Sequence, residues 1–317
     1  MMLQIKFLEM EKFTNIYHNP VLLNESIKGL NINPSGIYVD ATFGSGGHSQ
    51  AILQHLDKDG RLYAFDQDAD AIANKMEDKR LTMIHANFQH IKKFLRLHNV
   101  NSVDGILADL GVSSHQFDSE DRGFSTRWNS HLDMRMDRRK ETTAEIIINN
   151  YEQEDLKRIF RTYGEIDNAN KLARLIVENR KDKITHTQQL NEIIALCIPK
   201  HKENKYLAQV YQALRIEVNK ELEALKGLLL QSKDILKEKG RLVIISYHSL
   251  EDRMVKQFMR SGNLEDKIEK DFYGNPLTPF VLISKKAIVP SEEEIRRNSR
   301  SRSAKLRIAE KKEEHGK

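Results

Sequence analysis

Residues 37–49 read IYVDATFGSGGHS. A short apolar run of strand-forming residues gives way to Gly44, Gly46 and Gly47, and then to HSQAILQHL at 48–56, whose apolar residues recur at helical spacing. Strand, glycine turn, helix is the expected reading. Three more runs follow, RLYAFD (61–66), LTMIHA (81–86) and VDGILAD (103–109), with stretches of helical periodicity between them, 68–78 among them. Strands that lack inside/outside alternation and are joined by single-helix crossovers make a parallel sheet covered on both faces, a doubly wound α/β fold.

A fifth such strand, GRLVIIS (240–246), comes only after a gap far longer than one crossover needs. The gap is expected to hold an inserted all-helical domain with helices over 154–163, 167–180 and 186–198. A last helical run, 207–238, carries Val218, Leu222, Leu225, Leu229 and Leu236 on one stripe and stops at Gly240. A helix over 249–260, a Gly/Pro-marked loop (273–279), an extended segment (280–286) and a strand-like 303–309 complete the chain. The expected division is 1–120 with 218–317 for the sheet domain and 121–217 for the insertion.

The 317 residues carry 51 Lys+Arg and 46 Asp+Glu, a net charge of +5. Residues 296–317 alone hold nine basic and three acidic side chains, so the excess sits at the C-terminus. The single cysteine, Cys197, excludes a disulfide framework and any zinc site built on several cysteines, and it fits a reducing compartment. No apolar run approaches the roughly 18 residues of a membrane helix. The opening MMLQIKFLEMEK lacks the apolar core of a signal peptide. A soluble cytoplasmic protein is expected.

Ligands of open parallel sheets bind outside the carboxyl ends of the strands. After the first strand stands the glycine turn; after the second stands Asp66, placed to hold ribose hydroxyls. Alone, such a turn serves either as a structural tight turn or as a cofactor cradle, and Asp66 at this spacing favours the cradle. Ser49 stands where the dinucleotide fingerprint needs a small residue, preferably Gly, a departure that counts against a pyrophosphate ligand, and Asp40 inside the strand resembles the first motif of S-adenosylmethionine enzymes. Asp109 ends the fourth strand in DLGVSS (109–114), either as a turn cap or as an acceptor for an exocyclic amine.

The blocks HNPVLLNE (18–25), DATFGSGGHS (40–49), DLGVSSHQFD (109–118), RGFS (122–125), LDMRMD (132–137), YQALRIEVNKEL (211–222), ISYHSLEDR (245–253) and RSRSAKLR (300–307) together resemble the small-subunit ribosomal RNA cytosine-N4 methyltransferase family. The resemblance implies a Rossmann-like S-adenosylmethionine methyltransferase domain and a decoding-centre cytosine of 16S rRNA as target, within the small ribosomal subunit. It implies S-adenosylmethionine contacts at Gly46, Gly47, His48, Asp66, Phe88, Asp109 and Gln116. Asp109, His248 and Ser249 are the catalytic candidates. Arg135, Arg215, Asn219, Tyr247, Arg300 and Arg302 are the candidates for holding RNA. The chain departs from the family at His131, where a proline is usual, and over 201–210.

Several of these carry a reading of their own. Gln212, Arg215 and Asn219 fall at i, i+3 and i+7, a polar helix face that is either solvated or turned to substrate. Tyr247 and His248 follow the fifth strand, where either ring could stack on a flipped base. Asp133, Arg135 and Asp137 alternate with Met134 and Met136, either presenting charge to one side or forming a structural ion-pair network. Arg300 and Arg302 lie in the basic tail and suit RNA phosphates.

Methyl transfer from a sulfonium needs no metal, only two atoms held about 3 Å apart in a dry cleft. Cytosine C5 methylation uses an activated cysteine, and Cys197 lies in the apolar run IIALCI (193–198), so attack by an exocyclic nitrogen is favoured. His115 or His248 could take the amine proton. A non-catalytic RNA-binding or assembly factor and a nicotinamide-dependent dehydrogenase are the competing readings, and monomer and homodimer both remain open.

Overall fold

A computed structural model describes residues 20–74 and 76–313. The chain forms two compact units, one of residues up to Asp66, Asp70–Gly111 and Leu228 onward, the other of Gln67–Ala69 and Val112–Gly227. The helical unit is thus wider than 121–217 at both ends, and it takes in Asp68.

The first unit is a seven-stranded sheet: β1 (Ile37–Asp40), β2 (Arg61–Asp66), β3 (Leu81–His85), β4 (Val103–Asp109), β5 (Leu236–Ser246), β6 (Phe280–Leu282) and β7 (Lys305–Lys311). Their order is β3-β2-β1-β4-β5-β7-β6. β1 to β5 run parallel, and β7 is inserted antiparallel between β5 and β6. Val39, Leu62, Ala64, Phe65, Ile106, Leu107, Val243 and Ile244 are all fully buried, including neighbours that point to opposite faces. That burial is what helices on both sides of a parallel sheet impose. The strand order reverses between β1 and β4, which sets the carboxyl ends of those strands at the switch point where such folds bind ligands.

The second unit is helical: Ala144–Asn150, Gln153–Thr162, Ala169–Asn179, Thr187–Ala195 and Glu203–Asn219, followed by the first half of Glu221–Ile235. Its core contains Ile147, Leu156, Ile159, Phe160, Leu172, Ile176, Leu190, Ile194 and Leu214.

Three expectations about elements need correcting. The run 207–238 is two helices, broken where Lys220 adopts φ 54°. Gly240 does not stop a helix. It lies within β5, where Val103 pairs with Leu236 but Gly105 pairs with Arg241, so Lys237–Gly240 bulge out; a Cβ on Gly240 would sit 2.7 Å from the Lys237 carbonyl oxygen. The helix expected over 68–78 is only Ala69–Ala73; beyond it Met76 is the one apolar side chain, partly buried against the sheet core, and charged Glu77, Asp78 and Lys79 follow it. Among the described residues no helix is long and apolar enough to cross a membrane.

Candidate active site at the strand ends

Asp40, the last residue of β1, is fully buried. The Ser49 hydroxyl donates to its Oδ2 at 2.6 Å and the Thr42 N–H to its Oδ1 at 3.1 Å. Burial pushes this carboxyl up to about 7 against the pull of those two donors. Ser49, read from sequence as a departure from the dinucleotide pattern, is therefore the partner that lets an acid stay inside β1.

The turn after β1 needs its glycines. Gly44 and Gly46 have φ of 54° and 81°, and a Cβ on Gly47 would lie 2.2 Å from Pro20 Cγ. Gly46 caps the helix Gly47–His55 without any side-chain hydrogen bond, so this helix N-terminus has no acid or hydroxyl of its own at the cap. Asp66 at the end of β2 accepts the Gly44 N–H at 2.8 Å, which ties the second strand end to the turn.

At the end of β4 the Asp109 N–H donates to Thr42 Oγ1 at 2.7 Å, and its Oδ1 accepts the Tyr247 hydroxyl at 2.7 Å. Burial is the main cause that pushes Asp109 up to about 7; Asp40 and Glu251 add to it and the Tyr247 bond opposes it. His48 Nδ1 lies 3.8 Å from Asp109 Oδ2. Burial holds the His48 imidazole down to about 4, and its Nε2 faces the Val21 carbonyl at 3.2 Å. A carbonyl only accepts, so the ring proton sits on Nε2 and the ring is neutral. The approach to Asp109 is therefore not an ion pair, despite its length being compatible with one.

The hydroxyl of Tyr247, a residue expected to stack on a base, fixes Asp109, and its ring lies 3.3 Å from where a Cβ on Gly111 (φ 101°) would be. The Asp109 bond and the nearby Glu251 and Glu294 carboxylates add to burial in pushing its phenol well up. Glu251 Oε2 accepts the N–H groups of Tyr247 and His248. His248 caps the helix Ser249–Ser261, its Nδ1 accepting from Glu251 N–H and its Nε2 lying 3.1 Å from Glu251 Oε1. Both ring nitrogens face Glu251, so the His248 ring is held beside a buried carboxylate; Ser249 is exposed at the first turn. Phe88, half-buried, opens the short turn Phe88–His90 after β3.

In the helical unit Gln116 is buried and donates to Asp68 Oδ2 at 2.6 Å, while its side-chain oxygen accepts from Ser113 N–H. Arg122, 1% exposed, donates to the same Asp68 oxygen at 2.8 Å and to the Arg135 carbonyl at 3.0 Å. Neither Asp68 nor Arg122 stood out in the sequence, although Asp68 is two residues from Asp66 and Arg122 opens the RGFS block. The network reading of 132–137 holds: Met134 and Met136 are buried, Arg135 forks onto Asp133, and Asp137 pairs with Arg139.

The polar helix face is not solvated. Asn219 is buried, accepting from Met136 N–H at 2.7 Å and donating to the Met134 and Arg215 carbonyls. Arg215 forks onto Glu221, and Gln212 donates to the Tyr163 carbonyl. In this structure Asn219 staples the 134–136 segment through both its side-chain oxygen and its side-chain nitrogen. Cys197 is buried, its thiol donating to the Ile194 carbonyl at 3.3 Å, and burial pushes the thiol up.

The basic tail divides. Lys305 and Arg307, in β7, pair with Asp252, and Arg241 pairs with Glu310. Arg300 and Arg302 lie in the turn Ser299–Ser303, anchored by fully buried Ser301, with Arg302 exposed. Residues 314–317, the end of the tail, lie outside the described residues, as do His18, Asn19 and the segment before them.

The donor set fits S-adenosylmethionine. A helix N-terminus without a side-chain cap suits a carboxylate, Asp66 suits ribose hydroxyls, and the Asp109 carboxyl suits a cationic group.

A model of the MraW methylase family matches residues 15–312. The chain is 56% identical over 296 residues to "Ribosomal RNA small subunit methyltransferase H" of Christiangramia forsetii, covering 93% of this chain and 98% of that one. It is 57% identical over 299 residues to the protein of that name from Cytophaga hutchinsonii, covering 93% and 100%. A solved structure of a putative rRNA-methylase from Clostridium thermocellum is similar with a TM-score of 0.44, at 13% identity over 93% of this chain and 99% of that chain. A putative methyltransferase from Streptococcus mutans in complex with SAH is similar with a TM-score of 0.40, at 15% identity over 91% and 97%. With the family model matched over residues 15–312 and relatives sharing more than half of the aligned residues, the chain belongs to the MraW methylase family.

Proposed function

We propose that the protein is an S-adenosylmethionine-dependent methyltransferase of the cytoplasm that methylates the exocyclic N4 of a decoding-centre cytosine in 16S rRNA, within the small ribosomal subunit. The observation that carries this reading is the setting of Asp109: Thr42 holds its N–H and Tyr247 holds one carboxylate oxygen, while its other oxygen lies near neutral His48. An ionised carboxylate fixed in this way accepts a hydrogen bond from an amine N–H and turns the nitrogen lone pair toward an electrophile. S-adenosylmethionine, when bound, supplies a methyl group on a positively charged sulfur. Gly46, Gly47 and His48 at the helix start would hold its carboxylate, and Asp66 its ribose. The buried thiol of Cys197 counts against ring-carbon chemistry, and the relatives' shared name supports the small-subunit substrate. Arg300 and Arg302 are proposed to meet RNA phosphates, and Arg135 and Arg215 to shape the RNA-facing surface of the helical unit from within their ion pairs.

The test is to incubate the purified chain with isotopically labelled S-adenosylmethionine and small subunits that lack the modification, then to identify the nucleoside by mass. Labelled N4-methylcytidine is expected. Label in C5-methylcytidine, or in no nucleoside, would overturn the reading.

A further inference from the structure

Thr126, Arg127, Trp128 and Asn129 are all exposed, between buried Ser125 and buried Ser130. Trp128 is the only tryptophan of the chain, and 44% of it is open to solvent. The backbone beneath it is held firmly. The Thr187 hydroxyl, itself buried, donates to the Trp128 carbonyl at 2.6 Å and accepts the Ser130 N–H at 3.0 Å. The Thr187 N–H donates to the Ser130 carbonyl at 2.8 Å, and Ser125 Oγ accepts the Arg127 N–H at 3.2 Å. An indole carried on backbone fixed from both sides loses little freedom when a planar ligand settles on it.

The surroundings say which planar ligand. Residues 127–140 carry Arg127, Arg135, Arg138, Arg139 and Lys140 against Asp133 and Asp137, a cationic stretch. Arg138 and Arg139, both exposed, pair with exposed Asp121 and with Asp137, and an exposed pair of the first kind contributes little and exchanges readily for phosphate. His131, three residues on, is exposed and tilted against the His186 ring at 4.8 Å, adding further ring surface to the same loop. Aromatic faces interleaved with cations hold unpaired bases by stacking and their phosphates by charge.

We propose that the Trp128 loop is a stacking platform for an unpaired nucleotide of the RNA, at a position other than the methylated base. The proposal rests on the reading of the chain as an RNA methyltransferase and adds a contact to it.

Because Trp128 is the sole tryptophan, its emission reports this contact in the unaltered protein. A single-stranded, cytidine-containing RNA oligonucleotide titrated into the full chain is expected to quench the emission saturably, in step with the anisotropy of the same oligonucleotide carrying a dye. Trp128→Leu should bind the oligonucleotide about tenfold more weakly and Trp128→Phe should recover most of the loss, as expected for one lost stacked base. Unchanged emission at RNA saturation, or Trp128→Leu binding as tightly as the parent, would overturn the platform and leave the methyltransferase reading standing. Absence of RNA binding by anisotropy together with absence of methyl transfer would overturn both. Quenching by RNA-free ribosomal proteins and not by RNA would overturn the proposal in favour of a protein contact.

Discussion

Tyr247 donates its hydroxyl to Asp109 Oδ1 at 2.7 Å, joining the end of β5 to the end of β4 through two side chains. The bond favours the ionised carboxylate against the burial that pushes Asp109 up to about 7. If ionised Asp109 orients the amine, methyl transfer rises with pH through a limb near 7. Tyr247→Phe removes the one donor that lowers this group, so the limb should move to higher pH, with most of the activity regained on its alkaline side. Asp109→Asn should lower transfer about a hundredfold or more at every pH and leave RNA affinity nearly intact. Single-turnover rates against pH for the three proteins check both outcomes; an unmoved limb in Tyr247→Phe would remove Tyr247 from this role.

Asp40 titrates the fold as well as the site. Its carboxyl is pushed up to about 7 in the folded chain and has an ordinary value when unfolded, so between about pH 4 and 7 the folded state binds more protons. Stability contributed by this group is therefore greatest at low pH, falls as pH rises through that window and is level above it. Asp40→Asn cannot ionise and can keep both the Thr42 and the Ser49 bonds. It should gain on the parent in melting temperature as pH rises from 5 to 8, with the difference closing at the acid end. A difference independent of pH would show that Asp40 does not titrate there.

Arg122 and Asp68 are both almost fully buried and joined at 2.8 Å. Arg122→Ala leaves the buried Asp68 carboxylate without its guanidinium, and a loss of about 3–5 kcal/mol in unfolding free energy is expected. Adding Asp68→Asn to Arg122→Ala should recover part of that loss. Urea unfolding of the parent, both single variants and the double variant measures the coupling; simple additivity would mean that the pair does not act as a unit.

The two halves of the basic tail should separate by salt. Replacing Arg300 and Arg302 with Gln should weaken RNA binding and reduce the slope of log affinity against log salt by about two. Replacing Lys305 and Arg307, which pair with Asp252 inside the sheet unit, should act through stability and leave that slope nearly unchanged. Equal slopes for the parent and both double variants would return Arg300 and Arg302 to an ordinary surface.

Period and spacing alone located β1 to β4 within two residues, because strands buried on both faces leave unbroken apolar runs. The strand-end carboxylates Asp40, Asp66 and Asp109 were legible for the same reason. The break at Lys220 was not, since a left-handed lysine leaves no compositional trace within a continuous leucine stripe. Nor was the bulge at Gly240, because a glycine after a helical run reads equally as a stop and as a bulge. Asn219, Tyr247 and His248 were noticed as polar groups in telling places, but their partners, Met136, Asp109 and Glu251, are fixed by tertiary contact and, except for Glu251, lie far away in sequence. Only the folded chain tells a side chain that meets substrate from one that braces its neighbours.

β4 and β5 lie side by side in the sheet although the whole helical unit separates them along the chain. Left flexible, so long a connection would make their pairing a slow step, because the entropy of closing the loop must be met before any ladder bond forms. Residues 112–227 are contiguous and have a core of their own, rich in local helical contacts. Once they have collapsed, the connection between the two strands has far less freedom to lose. The expected order of assembly is helices first and the β4–β5 seam last, so Tyr247, which follows β5, reaches Asp109 at the end of β4 in a late folding step.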